Sequence, residues 1–242
     1  MKTLVLDIET LPLEAYVWGL WDVNIPINMI KEPGQVVCFA SKWHGSKTTQ
    51  FFRGPDVVNA AWELLDQADA VVHYNGKKFD VPHLNTEFLL AELGPPSPYK
   101  QIDLCNVVKR QFKFPSNKLQ YVSTALGMLG KADTGGFELW KGVMANDPKS
   151  WAKMRRYNMQ DVRVTEQLFD RLTPWIPNML SHQLYDGVGP TCCPTCGGGQ
   201  IQKRGFAYTK VSKFQQYQCM LCGSYFRDSR RVSGVTVQES VR

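Results

Sequence analysis

The chain opens on an apolar run of branched residues, Leu4-Val5-Leu6, which turns to alternation at Asp7-Ile8-Glu9 and is ended by Pro12. That pattern predicts a central strand with acidic residues at its C-terminal end. Asp7 and Glu9 are two apart and so share one face of it. Pro12, Pro26, Pro33 and Gly34, with Trp18 and Trp21 between them, predict an irregular excursion over 11–34. Val36 to Trp43 and Thr48 to Phe52, separated by Gly45-Ser46, predict a hairpin. The apolar period then lengthens. Val57, Ala60, Ala61, Leu64 and Leu65 predict a helix over 56–66, followed by a strand at Ala70 to Tyr74 and a turn at Asn75-Gly76. A second helix is expected from Val81 to Leu93, where Gly94-Pro95-Pro96 stops it. Ile102-Asp103-Leu104 ends a further short strand. Helical spacing dominates from there to Leu172, most clearly over 148–172 with Asp147 as N-cap and Pro148 at the first position. Three successive strands followed by strands alternating with helices indicate an α/β protein with a mixed sheet.

Pro174, Pro177, Gly187, Gly189 and Pro190 then interrupt every periodicity. The expected organisation is an α/β domain over 1–175, a linker over 176–190 and a small β domain over 191–242. A length of 242 residues with 43% hydrophobic content suits one full core plus a small appendage. No apolar run reaches membrane-spanning length, and Met1 leads into the first strand without the apolar region and cleavage site of a signal peptide. These features predict a soluble cytoplasmic protein in a reducing compartment.

Charge and cysteine are both concentrated late. Residues 190–242 hold 8 Lys and Arg against 2 Asp and Glu, which leaves 20 of each upstream. A basic segment favours polyanions through release of counterions from a phosphate backbone. Cys192, Cys193, Cys196, Cys219 and Cys222 crowd the tail, while Cys38 and Cys105 stand alone. Cys193-Pro-Thr-Cys196 and Cys219-Met-Leu-Cys222 form two C-x-x-C knuckles at a spacing suited to tetrahedral structural Zn2+. Cys192 lacks that spacing, and a redox role is disfavoured for two such pairs outside a βαβ unit. Between the knuckles, Phe206, Tyr208, Val211, Phe214 and Tyr217 alternate as in proteins that resemble zinc ribbons. Lys203, Arg204, Lys210, Lys213, Arg227, Arg230 and Arg231, interleaved with aromatics, suit phosphate contacts and base stacking along a single strand. The same aromatics suit the filling of a very small core.

The acidic residues upstream are ordered rather than merely numerous. Asp7-Ile8-Glu9-Thr10 lies in the first strand, Asn75-Gly-Lys77-Lys78-Phe79-Asp80 lies between a strand and a helix, and Tyr157-Asn-Met-Gln-Asp161 lies on the last long helix. Taken singly, each has a plain structural reading: a solvated acidic pair, a helix N-cap, an ordinary amphipathic helix. Taken in order, D-x-E, N-x-x-x-F-D and Y-x-x-x-D resemble the three motifs of the DEDD exonuclease superfamily, Tyr subtype, the family of the proofreading domains of DNA polymerases. Ile102-Asp103-Leu104, Lys118-Leu119 and Ala125-Leu126-Gly127 agree with it, and the resemblance spans about residues 1–172. It implies an RNase H-like mixed five-stranded sheet flanked by helices and a pair of Mg2+ or Mn2+ ions. In that scheme Asp7 bridges both ions, Glu9 and Asp161 complete the first site and Asp80 supports the second. Tyr157 aims the attacking water; at an ordinary pKa near ~10 its phenol is a poor base at neutral pH.

The activity implied is 3′-to-5′ hydrolysis of DNA, preferably single-stranded, to nucleoside 5′-monophosphates. Thr10, Lys77 and Lys78 are candidate strand contacts beside the carboxylates. Arg155 and Arg156, just before Tyr157, and Trp18 and Trp21 in the excursion default to solvated surface or filler. His44, His73 and His83 read as structural. A polymerase or another replication or repair protein is the expected protein partner. Internal cleavage, RNA as substrate, and a binding module with a feeble nuclease site all remain compatible with the residues.

Overall fold

The computed structural model describes residues 1–128, 135–185 and 191–235. Residues 186–190 of the expected linker and 236–242 of the basic tail lie outside them. The chain divides into two compact units, Lys2–Phe169 and Asp170–Arg242, the latter with Met1.

In the first unit β1 (Thr3–Thr10) is the middle of a five-stranded mixed sheet. The excursion after it holds a two-residue β2 (Glu14–Ala15) paired with β3 (Ile30–Glu32), and a 3-10 turn at Ile27–Met29. β4 (Val36–Trp43) and β5 (Gln50–Arg53) make the expected hairpin, antiparallel to β1 on one side. After α1 (Val57–Asp66), β6 (Ala70–His73) runs parallel to β1 on the other side. α2 (Asp80–Leu90) and β7 (Lys100–Asp103) follow, giving the order β5-β4-β1-β6-β7. α3 (Leu104–Gln111), α4 (Leu119–Ala125) and α5 (Glu138–Met144) precede the long α6 (Pro148–Leu172).

Helices cover both faces of the sheet, as buried strands without strict alternation require. On one face Leu4, Leu6 and Ile8 of β1 pack with Val57, Ala61 and Leu65 of α1 and with Leu84 and Phe88 of α2. On the other, Cys38 of β4 packs with Leu139, Val143, Met154 and Tyr157 of α5 and α6. α6 starts where expected because Asp147 Oδ2 accepts from Ser150 N at 2.8 Å and from Ser150 Oγ at 2.7 Å. A nearly buried ion pair between Lys42 and Glu166, with Gly45 N donating to Glu166 Oε1 at 3.1 Å, ties α6 to the β4–β5 hairpin.

α2 begins at Asp80 rather than Val81 and ends at Leu90, three residues before the expected stop. Its end comes early because Glu92 adopts a positive φ of 57°. Asn75 turns the chain at φ 67°, and Gly76 then lies so close to His73 that a Cβ there would sit 2.5 Å from the imidazole Cγ.

The second unit carries the short α7 (His182–Tyr185) and a three-stranded antiparallel sheet in the order β10-β9-β8, formed by β8 (Ile201–Tyr208), β9 (Ser212–Cys219) and β10 (Tyr225–Gly234). The two C-x-x-C knuckles are built alike. Gly197 N donates to Cys193 O at 2.8 Å and Gly223 N to Cys219 O at 2.9 Å, with φ of 73° and 82° at the two glycines. A residue with a Cβ is strained in that region, which explains a glycine after each knuckle.

Candidate active site

β1 outruns its parallel neighbour: the pairing with β6 covers only Thr3 to Val5. The N–H of Ile8 therefore has no ladder partner on that edge, and Asp80 Oδ1 accepts it at 3.1 Å. The contact draws the start of α2 against the carboxylate end of β1. The side chain of Asp80 thus meets the first N–H of its own helix and also a partner 72 residues away. It is 4% exposed. Burial pushes its carboxyl up to about 6, with Asp103 adding to the rise and the backbone hydrogen bonds opposing it.

Asp7 and Glu9 project on the α6 face of the sheet, Ile8 on the other. Asn158 of α6, fully buried, donates from Nδ2 both to Asp7 O at 3.1 Å and to Asp7 Oδ2 at 2.7 Å. One turn on, Asp161 is 2% exposed, so the plain reading of an exposed acidic residue on an amphipathic helix does not hold. Tyr157 is buried beside it. Burial first, then the charges of Asp161, Glu9 and Asp7 and a hydrogen bond to Asp161, hold the phenol far above its ordinary value. A tyrosine so placed is a neutral hydroxyl rather than a base. Cys38, opposite Glu9 in the β1–β4 register, has its thiol pushed up by burial and by Glu9 and Asp7. Asp7, Glu9, Tyr157 and Asp161 therefore form one electrostatic cluster, with Asp80 fixed to the same strand end.

Two supporting residues carried no sequence-based role. Asn158 sits inside the third motif, between Tyr157 and Asp161, and its place on the inner face of α6 was the available signal. Asp103 caps α3 by accepting from Cys105 N at 3.0 Å and Asn106 N at 3.3 Å, and also accepts from Asn75 N at 3.0 Å and Lys77 N at 3.3 Å. It shapes the loop leading to Asp80, and no local pattern announces that. Lys77 and Lys78 are exposed on this loop, Thr10 is half-buried with its carbonyl accepting from Trp140 Nε1 at 3.1 Å, and His73 is fully buried with burial pulling its pKa down. Trp18 and Trp21 project into solvent at 94% and 86% exposure, so neither fills the core.

The donor set here is all oxygen, which hard divalent cations take. A carboxylate buried to the extent of Asp80 is costly as an anion without a cation, so the residues fit such an ion. Among the described residues, only the cysteines gather four ligand atoms within 4.8 Å of one another: Cys193, Cys196, Cys219 and Cys222. The Sγ atoms of Cys193 and Cys222 are 3.8 Å apart, and those of Cys196 and Cys219 3.7 Å. A tetrahedron with Zn–S arms of ~2.3 Å has edges near ~3.8 Å, so this geometry fits Zn2+ in a closed structural site. Cys192 is buried outside the cluster.

On the ribbon, Lys203, Arg204 and Lys210 are exposed. Lys213 lays its ammonium 3.8 Å from the centre of the Phe206 ring, and Arg227 its guanidinium 3.9 Å from that of Phe214. Tyr217 and Phe226 stack at 5.6 Å. The aromatics thus serve both as the little core and as platforms for cations.

A mixed five-stranded sheet with acidic side chains at the end of its middle strand and a late helix bringing more to the same face defines an RNase H-like domain. The chain belongs to the RNase H superfamily, whose family model matches residues 4–173. Among solved structures it is similar to the family B DNA polymerase from the hyperthermophilic archaeon Pyrobaculum calidifontis, with a TM-score of 0.55 and 20% identity. That similarity covers 72% of this chain but only 24% of the polymerase, so the likeness is of fold over a part of the larger protein. No curated protein matches. Superfamily membership supports a nuclease that binds nucleic acid. No helix among the described residues is long and apolar enough to cross a membrane.

Proposed function

We propose that this chain is a metal-dependent 3′-to-5′ exonuclease of the DEDD type, Tyr subtype, acting on single-stranded DNA and releasing nucleoside 5′-monophosphates. The observation that carries the reading is the cluster around Tyr157: burial and then three carboxylates from two elements raise its pKa, while Asp80 is anchored to the strand that bears two of them. Asp7, Glu9, Asp80 and Asp161 are the ligands for two Mg2+ or Mn2+ ions. When bound, the ions supply water activation and stabilise charge on the phosphoryl oxygens. The chain's own residues do the rest. Asn158 fixes the Asp7 rotamer, Asp103 fixes the Asp80 loop, and the neutral Tyr157 hydroxyl, held by Asp161, orients the nucleophilic water. Thr10, Lys77 and Lys78 contact the strand near the scissile phosphate. One structural Zn2+ holds the ribbon, whose Lys203, Arg204, Lys210 and Lys213 track the phosphate backbone while its aromatics stack on bases. The likeness in fold to part of a DNA polymerase favours a polymerase as the class of protein partner, with proofreading as the role.

The test is a time course with 5′-labelled single-stranded DNA and matched RNA in Mg2+, Mn2+ or EDTA. A cation-dependent ladder shortening from the 3′ end of DNA is the expected result. Discrete internal products would make the enzyme an endonuclease, a ladder on RNA alone would reassign the substrate, and an intact but shifted probe would leave only a binding module.

A further inference from the structure

At the edge of the sheet, between β5 and the first turns of α6, lies a cavity of about 580 Å3. Phe51, Arg53 and Asp56 line it from the β5 side, Trp151 and Arg155 from α6. It is on the same sheet face as the carboxylates. Glu9 pairs with Cys38 and Cys38 with Arg53, so the three side chains project together, and two strand spacings put Arg53 about 10 Å from Glu9.

The chemistry of the walls is specific. Arg53 lays its guanidinium 4.6 Å from the centre of the Trp151 ring. Stacking fixes the plane of a guanidinium and leaves its N–H edge free to meet an oxyanion in two-pronged fashion. Arg155 faces the same space from another element, and both arginines are exposed. Among the described residues neither takes part in a side-chain hydrogen bond or an ion pair. Asp56, also exposed, contributes one acceptor to the cavity. Two free cationic forks, an aromatic wall and one carboxylate match a phosphate, a base and an amino or hydroxyl donor, which a nucleotide presents together.

We infer that this cavity is a nucleotide subsite, with Arg53 and Arg155 holding a phosphate and Phe51 and Trp151 flanking a base. The inference rests on the reading of the chain as a nuclease. The nucleotide comes either from the strand under degradation, a short distance from the scissile bond, or from free nucleoside monophosphate. In the first case the subsite sets how strongly substrate length matters, and in the second it couples the enzyme to its product.

The experiment is equilibrium binding in EDTA, where no turnover is needed, of labelled deoxythymidine dinucleotide, a labelled octanucleotide and thymidine monophosphate. The proteins are the full chain, Arg53→Ala and Arg155→Glu, the latter outside the Trp151 stack and so free of its structural effect. Loss of about fivefold to tenfold in octanucleotide affinity, with the dinucleotide unchanged, establishes the strand subsite. Loss of monophosphate binding alone establishes a product site. Both variants binding all three probes like the parent overturns the inference. An inactive parent with arginine-dependent binding sinks the nuclease reading alone, whereas an active parent with indifferent variants sinks only the subsite.

Discussion

At the scale of single residues, the least obvious participant is Asn158. Its amide holds the carbonyl and the carboxylate of Asp7 at once from a fully buried position. Asn158→Ala removes that grip while leaving every proposed ligand in place. The expected loss in kcat/KM is about 10- to 100-fold, as for outer partners of metal ligands generally, with an apparent cation affinity weakened in parallel. Measuring both as a function of Mg2+ separates this from general destabilisation, which would lower the active fraction without moving the cation midpoint. Asp80 gives a second expectation with a definite sign. Its carboxyl rises from an ordinary 3.8 to about 6 on folding, so its contribution favours the metal-free fold at low pH and is lost as pH climbs through about 6. Asp80→Asn retains an oxygen for the Ile8 N–H without the charge. In EDTA the variant is expected to match the parent near about pH 4 and to exceed it by about 1–3 kcal/mol near about pH 8. Denaturant midpoints across pH check this. A variant no more stable than the parent at high pH would show that Asp80 is not a buried anion in want of a cation.

At the scale of elements, most strands and helices were legible because periodicity and punctuation agreed. β1, the β4–β5 hairpin and α6 follow from apolar patterning, the Gly45 turn and the Asp147-Pro148 start. What the pattern could not supply were contacts across large sequence distances. Asp80 looks locally like an N-cap, and the three-residue overlap of β1 with β6 explains why its carboxylate also reaches Ile8. Asp103 looks like the end of a strand, yet it organises a loop 28 residues earlier. The ordered motifs carried the candidate site where geometry could not be read. The Asn75-Gly76 turn shows how tightly that loop is built: Gly76→Ala drives a methyl into the buried His73 ring. A cost of about 1–3 kcal/mol is expected in a denaturation midpoint, together with reduced activity through displacement of Asp80. Full stability and activity in this variant would mean that the loop tolerates movement and that Asp80 is not held by it.

At the scale of the whole molecule, each unit has its own means of stability. Among the described residues, Lys2–Phe169 has hydrophobic clusters on both faces of its sheet, whereas the ribbon relies on four convergent thiols and a few aromatics. Burial raises the Cys193 and Cys196 thiols, so they are protonated without a cation, and a cation that binds the four cysteines as thiolates adds its binding energy to folding. Cys196→Ser is therefore expected to unfold the ribbon, seen as loss of amide protection in its strands, while the first unit keeps its protection. Loss of protection in both units would show that the ribbon is needed for the larger fold. In the proposed function, four carboxylates and Tyr157 form one cation-dependent nuclease centre. The most direct measurement is the single-turnover cleavage rate of 3′-ended single-stranded DNA against Mg2+ concentration, for the parent and for Asp7→Asn of verified fold. A cation-dependent centre gives a saturable dependence on Mg2+ in the parent and background cleavage at every Mg2+ concentration in the variant. Parental cleavage by Asp7→Asn, or cleavage by the parent undiminished in EDTA, would contradict it.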